Sequence, residues 1–345
     1  MNSSCYLISF YVLFSAACLA QPHSNPFIIK GKVVELESGA PVLSAAVFLE
    51  NTTIGTTTDP NGEFELKSSK YGTYNLIVSS LGFDLQSVPV RAYKAELFEL
   101  TIKLRQKSIV LNEIRIEAKF PDDWEEHIKL FREEFLGKTI NSENTKLVNP
   151  EVINFRLDEN SGTLYAYTDS TIVINNMALG YRLKVILDSF SFNKKDILRY
   201  FYHCQFEELA PEDDEQKTLW EANRKDCYLG SPKHFFSSLI NKSVSSEFIL
   251  YTKDPKLVAI TQWHRISPDD LLLSYDKENE QYFFKTDKVF KVECFNNSKV
   301  SYIGPLGSKI STDLYGNSNN LFILDGYWKE LRMADQLPFD YVYTP

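Results

Sequence analysis

From Phe27 to Leu104 apolar and polar residues alternate in short runs. Ala45, Val47 and Leu49 share one face of a predicted strand, with Phe48 and Glu50 on the other, and Phe64 and Leu66 alternate with Glu63, Glu65 and Lys67. A period of two belongs to a pleated backbone, whose successive side chains point to opposite faces. Tyr74, Leu76 and Val78 repeat it. Phe98, Leu100, Ile102 and Leu104 then alternate with Glu99, Thr101 and Lys103, which predicts a last strand with one wet face. Between the Thr56–Thr58 run and Glu63 stands Asp59-Pro60-Asn61-Gly62. Proline presets φ at the second turn position and glycine accepts the positive φ that returns the chain, so a hairpin is expected here. Roughly seven short strands fit residues 27–105, which predicts a small β-sandwich.

Beyond it the period changes twice. Ile109, Leu111, Ile114 and Ile116 predict a linker strand over residues 106–120 whose phase slips once. Pro121 and Asp122 open a helix in which Trp124, Ile128, Phe131 and Phe135 recur at helical spacing, and Gly137 closes it. Strand character returns at Val152–Leu157, Thr163–Thr168, Thr171–Ile174 and Tyr181–Phe190, with turns at Asn160-Ser161-Gly162 and Asn175-Asn176. Lys217–Tyr228 reads as a helix. A short helix follows, capped by Ser231 with Pro232 at its first position. From Phe248 to Tyr343 strands are expected again. The fold class is therefore mainly β with an α+β second part: a sandwich over 27–105, then a mixed, strand-rich domain with a few helices over 121–345.

The first 20 residues carry no charge and hold an apolar run from Cys5 to Leu19, long enough for a signal-peptide core and short for a membrane span. Residues 1–20 are expected to be a signal peptide cleaved after Ala20. Leu13-Phe14-Ser15-Ala16-Ala17-Cys18 offers the alternative of lipidation at Cys18. Either route exports the chain to a periplasmic, outer-membrane-associated or secreted location, and no later stretch is long and apolar enough to span a bilayer. The net charge of −9 has no clustered basic face to set against it, which argues against nucleic acid as a partner. Outside the leader the cysteines are Cys204, Cys227 and Cys294. An odd number leaves at least one thiol unpaired within the chain, and a Cys204–Cys227 disulfide and buried free thiols both remain open.

Particular residues within these patterns also carry a resemblance. Gly31-x-Val33, Ser38-Gly39-x-Pro41, Gly55-Thr56-x-Thr58-Asp59, Gly62-x-Phe64 and Ser80-Leu81-Gly82-Phe83 resemble the carboxypeptidase-like regulatory domain, a transthyretin-like β-sandwich. In that family the domain stands behind metallocarboxypeptidases, in front of TonB-dependent receptors, and on exported envelope proteins without assigned chemistry. It implies a fold and not a reaction. In receptor relatives, a stretch similar to Leu111-x-Glu113-Ile114-x-Ile116-x-Ala118 leads into a plug and barrel. Here a helix follows, and the roughly 200 residues after it are too few for such a barrel. Further residues resemble uncharacterised exported proteins that carry the regulatory domain without plug or peptidase. They are Trp124, Phe135-Leu136-Gly137, Asn149-Pro150, Leu179-Gly180-Tyr181, Trp220 with Arg224, Tyr228-x-Gly230-Ser231-x-x-His234-Phe235 and Ala334-Asp335-x-Leu337-Pro338.

Candidate chemistry is sparse. A zinc peptidase needs converging imidazoles and a carboxylate, announced by His-x-x-Glu or His-Glu-x-x-His. His127, His203, His234 and His264 stand in neither pattern. His203 and Cys204, with Cys227 further on, are metal-ligand types, yet adjacent strand residues face opposite ways. Ser231 with His234 is the sharpest pair. Read as chemistry it is a nucleophile at a helix N-terminus with a base one turn away; read as structure it is an N-cap and a packing histidine, favoured by Pro232 and the apolar neighbours. The acidic pairs, including Glu207-Glu208 and the run Glu212–Glu215, read as solvated faces and as a helix start. Tyr327-Trp328 is the aromatic pair expected to be exposed. No catalytic, cofactor-binding or metal residue is assigned, and binding residues are left open. The function expected is a non-enzymatic exported envelope protein that binds a protein or glycan partner. The alternatives are a hydrolase and an accessory component of an outer-membrane uptake system.

Overall fold

A computed structural model describes residues 25–107, 122–193, 195, 197–253, 263–271, 273–277, 281–284, 288–295, 298–305, 310–318 and 322–344. The expected leader, the Cys18 alternative and most of the linker strand lie outside the described residues.

The first unit has seven strands: β1 (Phe27–Glu35), β2 (Ala46–Leu49), β3 (Gly55–Thr57), β4 (Glu63–Ser68), β5 (Gly72–Ser79), β6 (Gln86–Ala92) and β7 (Leu97–Leu104). They form two sheets, β4-β1-β7 and β3-β2-β5-β6. β1 and β7 run parallel, from Ile28 opposite Leu97 to Glu35 opposite Leu104, whereas the other pairs are antiparallel. The alternating residues fill the space between the layers: Phe27, Ile29, Val33, Val47, Leu49, Phe64, Leu66, Leu76, Val78, Ile102 and Leu104 are buried in one core.

The turn at Asp59–Gly62 forms as its chemistry predicts. The Asp59 carboxylate accepts from the amides of Asn61 (2.9 Å) and Glu63 (2.8 Å), and Gly62 takes φ +75°. It does not join a paired hairpin, because β3 and β4 belong to different sheets. Buried Thr58 makes the difference: its hydroxyl donates to the Val42 carbonyl and accepts from the Ala45 amide, so β3 stops against β2 and the turn carries the chain across to the other layer.

In the remainder, the helix Trp124–Leu136 buries Trp124, Ile128, Phe131 and Phe135, the spacing read from sequence. They cover one face of a six-stranded sheet that includes Ile153–Asp158, Thr163–Thr168, Ile172–Asn176, Tyr181–Asn193 and Leu198–Glu208. The last two make a long antiparallel pair with an irregularity between Leu187 and Ser189. Helices Asp214–Tyr228 and Pro232–Ile240 follow, then a five-stranded sheet and a three-stranded sheet around another core, with Phe235, Phe236, Phe248, Phe290 and Trp328 inside. The fold is mainly β, and among the described residues the helices lie in the second part.

Trp328 corrects one expectation. It is 2 % exposed, and its indole donates to the Gly230 carbonyl at 2.6 Å, while the half-buried Tyr327 hydroxyl meets the Lys299 ammonium. Asp325 and Gly326 do form a strand end, and a helical turn beginning at Tyr327 then swings the next side chain inward.

Among the described residues no helix is long and apolar enough to cross a membrane. Among the described residues Cys204, Cys227 and Cys294 are buried and none forms a disulfide. Burial pushes the Cys204 thiol well up and Cys227 up to about 12, so neither is a ready thiolate.

Candidate functional site

The Ser231–His234 pair is used for structure. The Ser231 hydroxyl accepts the His234 backbone amide at 3.1 Å, as an N-cap does. The His234 ring accepts from the Gly230 amide at Nδ1 (3.0 Å) and meets the Glu247 carboxylate at Nε2 (2.7 Å). Burial holds this imidazole below its ordinary value, against the opposing pull of Glu247, so the neutral ring has both nitrogens engaged and neither faces the Ser231 hydroxyl. Other residues of the resembling set act the same way. Trp220, Asn223 and Arg224 reach from their helix to the carbonyls of Met177, Ala178 and Leu179 at 2.7–2.8 Å, clamping the turn before Tyr181. Gly180 is required there, since a Cβ would lie 2.2 Å from the Trp220 ring.

His203 and Cys204 point to opposite faces, Cys204 into the core and His203 to the seam with the sandwich. Among the described residues no group of His, Cys, Asp and Glu is arranged to hold a metal ion. At the seam the loop after β2 joins the edge of Leu198–Glu208: Thr52 forms a parallel bridge with Gln205, the Asn51 amide donates to the Cys204 carbonyl (2.7 Å), and the Phe206 amide donates to the Thr52 carbonyl (2.9 Å). His203 lies between Glu50 (2.5 Å) and Asp188 (3.2 Å). The Glu50 hydrogen bond, opposed by burial, raises its pKa. Burial pushes Glu50 up, but hydrogen bonds from His203 and Asn75 outweigh it and leave the carboxyl below its usual range. Beside this seam the half-buried Lys233 sets its ammonium on the carbonyls of Pro338 (3.1 Å) and Phe339 (2.9 Å); desolvation pulls it down to about 8 against the pull of Asp313 and Asp340. These groups are saturated by one another and tie segments together.

The outer face of the six-stranded sheet is different. Register places Arg156, Tyr165, Ser191 and Arg199 in one row across neighbouring strands, because Tyr165 pairs with both Arg156 and Ser191, and Ser191 pairs with Arg199. One row along, Phe201 pairs with Ser189, and Tyr167 continues the Tyr165 column. Ala166 and Phe190 between them are buried, so these residues project away from the core. Phe201 is 67 % exposed and Tyr167 51 %. Two serines thus floor a trough with tyrosines on one side and Phe201 and Arg199 on the other. Walls two strands apart stand about 10 Å from each other. The Arg156 guanidinium lies 4.5 Å from the Tyr165 ring centre. A shallow hollow over β1, β4 and β7 is the competing concavity, but its Lys30 and Glu65 are paired at 2.8 Å.

Sequence reading missed the trough because strand Leu198–Glu208 carries Tyr200, Phe201 and Tyr202 in succession, which hides its period of two. The available signal was the small Ser189 and Ser191 between rows of aromatic and basic residues.

Residues 29–116 match the family model of the CarboxypepD_reg-like domain, so the N-terminal sandwich is a domain of that family. The TonB-dependent receptor SusC of Bacteroides thetaiotaomicron is 27 % identical over 169 residues, covering 44 % of this chain and 16 % of the receptor. The chain therefore spans about 16 % of that relative's length. Among solved structures, a cohesin–X-dockerin complex of Acetivibrio cellulolyticus matches at 22 % identity, 30 % of this chain, 72 % of that one and TM-score 0.21. A DUF3823 family protein of Parabacteroides merdae matches at 9 % identity, 84 % and 100 % coverage and TM-score 0.20. Overlaps this low carry no argument about the site.

Proposed function

We propose that the chain is an exported, non-catalytic binding protein of the cell envelope, in which a CarboxypepD_reg-like sandwich is fixed against a mixed α+β domain that presents a binding face. The observation that carries it is the outer face of the six-stranded sheet, where Tyr167 and Phe201 stand exposed beside Ser189 and Ser191. Large exposed aromatics grouped on one polar face favour recognition, since rings stack on apolar faces while neighbouring hydroxyls hydrogen-bond. The titratable groups with shifted pKa values support the same reading: His203, His234 and Lys233 are each engaged by protein partners. The uncharged leader of residues 1–20 supports export, and the partial similarity to an outer-membrane receptor supports an envelope setting.

The test is affinity electrophoresis and pull-down of the mature protein against envelope proteins and polysaccharides, with Phe201→Ala and Tyr167→Ala as variants. Retention that both variants lose is the expected result. Stoichiometric zinc in the purified protein, or a hydrolytic activity lost in Ser231→Ala, would replace this reading with the hydrolase alternative.

A further inference from the structure

Resting on the binding-face reading, the geometry points to an anionic glycan as the occupant: we infer that the trough takes a chain carrying uronate carboxylates. The chain carries −9 overall, yet the row that includes the trough holds two guanidiniums, Arg199 on one wall and Arg156 one strand beyond the Tyr165 wall, with Tyr165 and Ser191 between them. Among the described residues neither arginine lies within ion-pair distance of a carboxylate. The nearby acids are engaged elsewhere. Asp188 faces His203, Glu207 pairs with Lys184 at 2.5 Å, and Asp158, which feels the Arg156 charge without pairing with it, accepts from the Asn160 amide and Ser161 hydroxyl of its own turn.

The Arg156 group is held in place over Tyr165, so little freedom is lost when it meets an anion. A guanidinium presents paired donors that match a carboxylate. The next row supplies what a sugar needs besides charge: Tyr167 and Phe201 as exposed rings for the apolar faces of pyranoses, and Ser189 between them as a hydroxyl. An acidic peptide strand would instead be recognised chiefly through backbone hydrogen bonds, leaving this row of side chains without a role.

The experiment titrates the mature protein calorimetrically with tetragalacturonate, with its methyl ester, which keeps the shape and removes the charge, and with a neutral gluco-oligosaccharide. Mannuronate and hyaluronan oligomers extend the acidic set. Binding of an acidic oligomer, weakened roughly tenfold by esterification and by Arg156→Gln or Arg199→Gln, is expected, since each removes a charge-assisted hydrogen bond. Added salt should weaken the native protein more than either variant. Phe201→Ala should weaken acid and neutral ligands alike. All these positions are exposed or half-buried, and an unchanged unfolding midpoint verifies that each variant is folded. Equal binding of acid and ester, still lost in Phe201→Ala, would overturn the uronate assignment and leave the binding face standing. Failure of every acidic oligomer while Phe201→Ala releases an envelope protein would overturn the assignment in favour of a protein partner, and displacement of galacturonate by poly-glutamate would overturn it in favour of a peptide. No ligand lost in Phe201→Ala would remove both readings.

Discussion

The sandwich and the region after it solve the same burial problem in opposite ways. Within Phe27–Leu104 the core is built from that span alone, and the Asp59–Gly62 turn closes on near neighbours, Asn61 and Glu63, while the loop after β2 reaches to the second part. After Trp124 the polar residues bridge great distances along the chain. Asp335 accepts from Thr139 and Asn141, Asn176 donates to the Ala334 carbonyl, and Trp328 donates to Gly230. The segment Met333–Tyr343 thereby holds the first helix, the six-stranded sheet and, through the Phe339 amide on the Asn51 carbonyl, the sandwich. Local closure makes a self-sufficient unit. Distant closure makes one that depends on its last contributor.

The strongest way to break this contrast is to end the chain before Met333. The region after Trp124 should then lose its protection in hydrogen exchange while the strands of residues 27–104 keep theirs; simultaneous loss in both would show that the sandwich is not independent. Trp328→Ala is expected to cost about 3–5 kcal/mol in denaturant unfolding, since it opens a core and leaves the Gly230 carbonyl without its donor. Gly180→Ala should cost about 2 kcal/mol or more, because the turn has φ +69° and the new methyl meets the Trp220 ring. The same exchange at Gly39, where a Cβ meets nothing within 4 Å, should cost less. Ser231→Ala should cost about 1 kcal/mol, the value of a helix cap.

The smallest effects come from pH and differ in sign between the seam and the Pro232–Ile240 helix. His203 has a raised pKa, so its contribution to the seam is fully present below the ordinary imidazole value, about 6.5, and is lost as pH rises through the raised value. Glu50 has a lowered pKa, so its contribution holds above the ordinary carboxyl value and is lost only as pH falls through the lowered one. His234 is held neutral by burial. Its helix is therefore stable above about 6.5 and weakens as pH falls from there toward the lowered value, where the unfolded chain binds the proton first. From about pH 7.5 down to 5.5, protection against hydrogen exchange, taken relative to the intrinsic base-catalysed rate at each pH, should rise at the Asn51 and Phe206 amides and fall in Pro232–Ile240. Parallel changes at both places would show that the two histidines are not set by their separate surroundings.

The resembling set Trp124, Gly180, Trp220, Arg224, Ser231, His234 and Asp335 was visible without coordinates, and every member ties elements together. A chain read alone shows which residues are unusual; it does not distinguish holding a turn from holding a ligand. Tyr327-Trp328 shows the same limit, since turn residues before the pair suggested exposure and a helical turn buried the indole.

Sequence alone determined the two-residue alternation of Phe27–Leu104, the turn chemistry at Asp59–Gly62, the helical spacing of Trp124–Phe135 and the cap at Ser231, because each depends on backbone preferences and side-chain direction within a few residues. Tertiary structure decided which sheet receives the strand after Gly62, that His203 sits between Glu50 and Asp188, and that Arg156, Tyr165, Ser191 and Arg199 lie in one row. Those outcomes depend on pairing between segments far apart in the chain, where register and burial select among arrangements that local preferences leave equal.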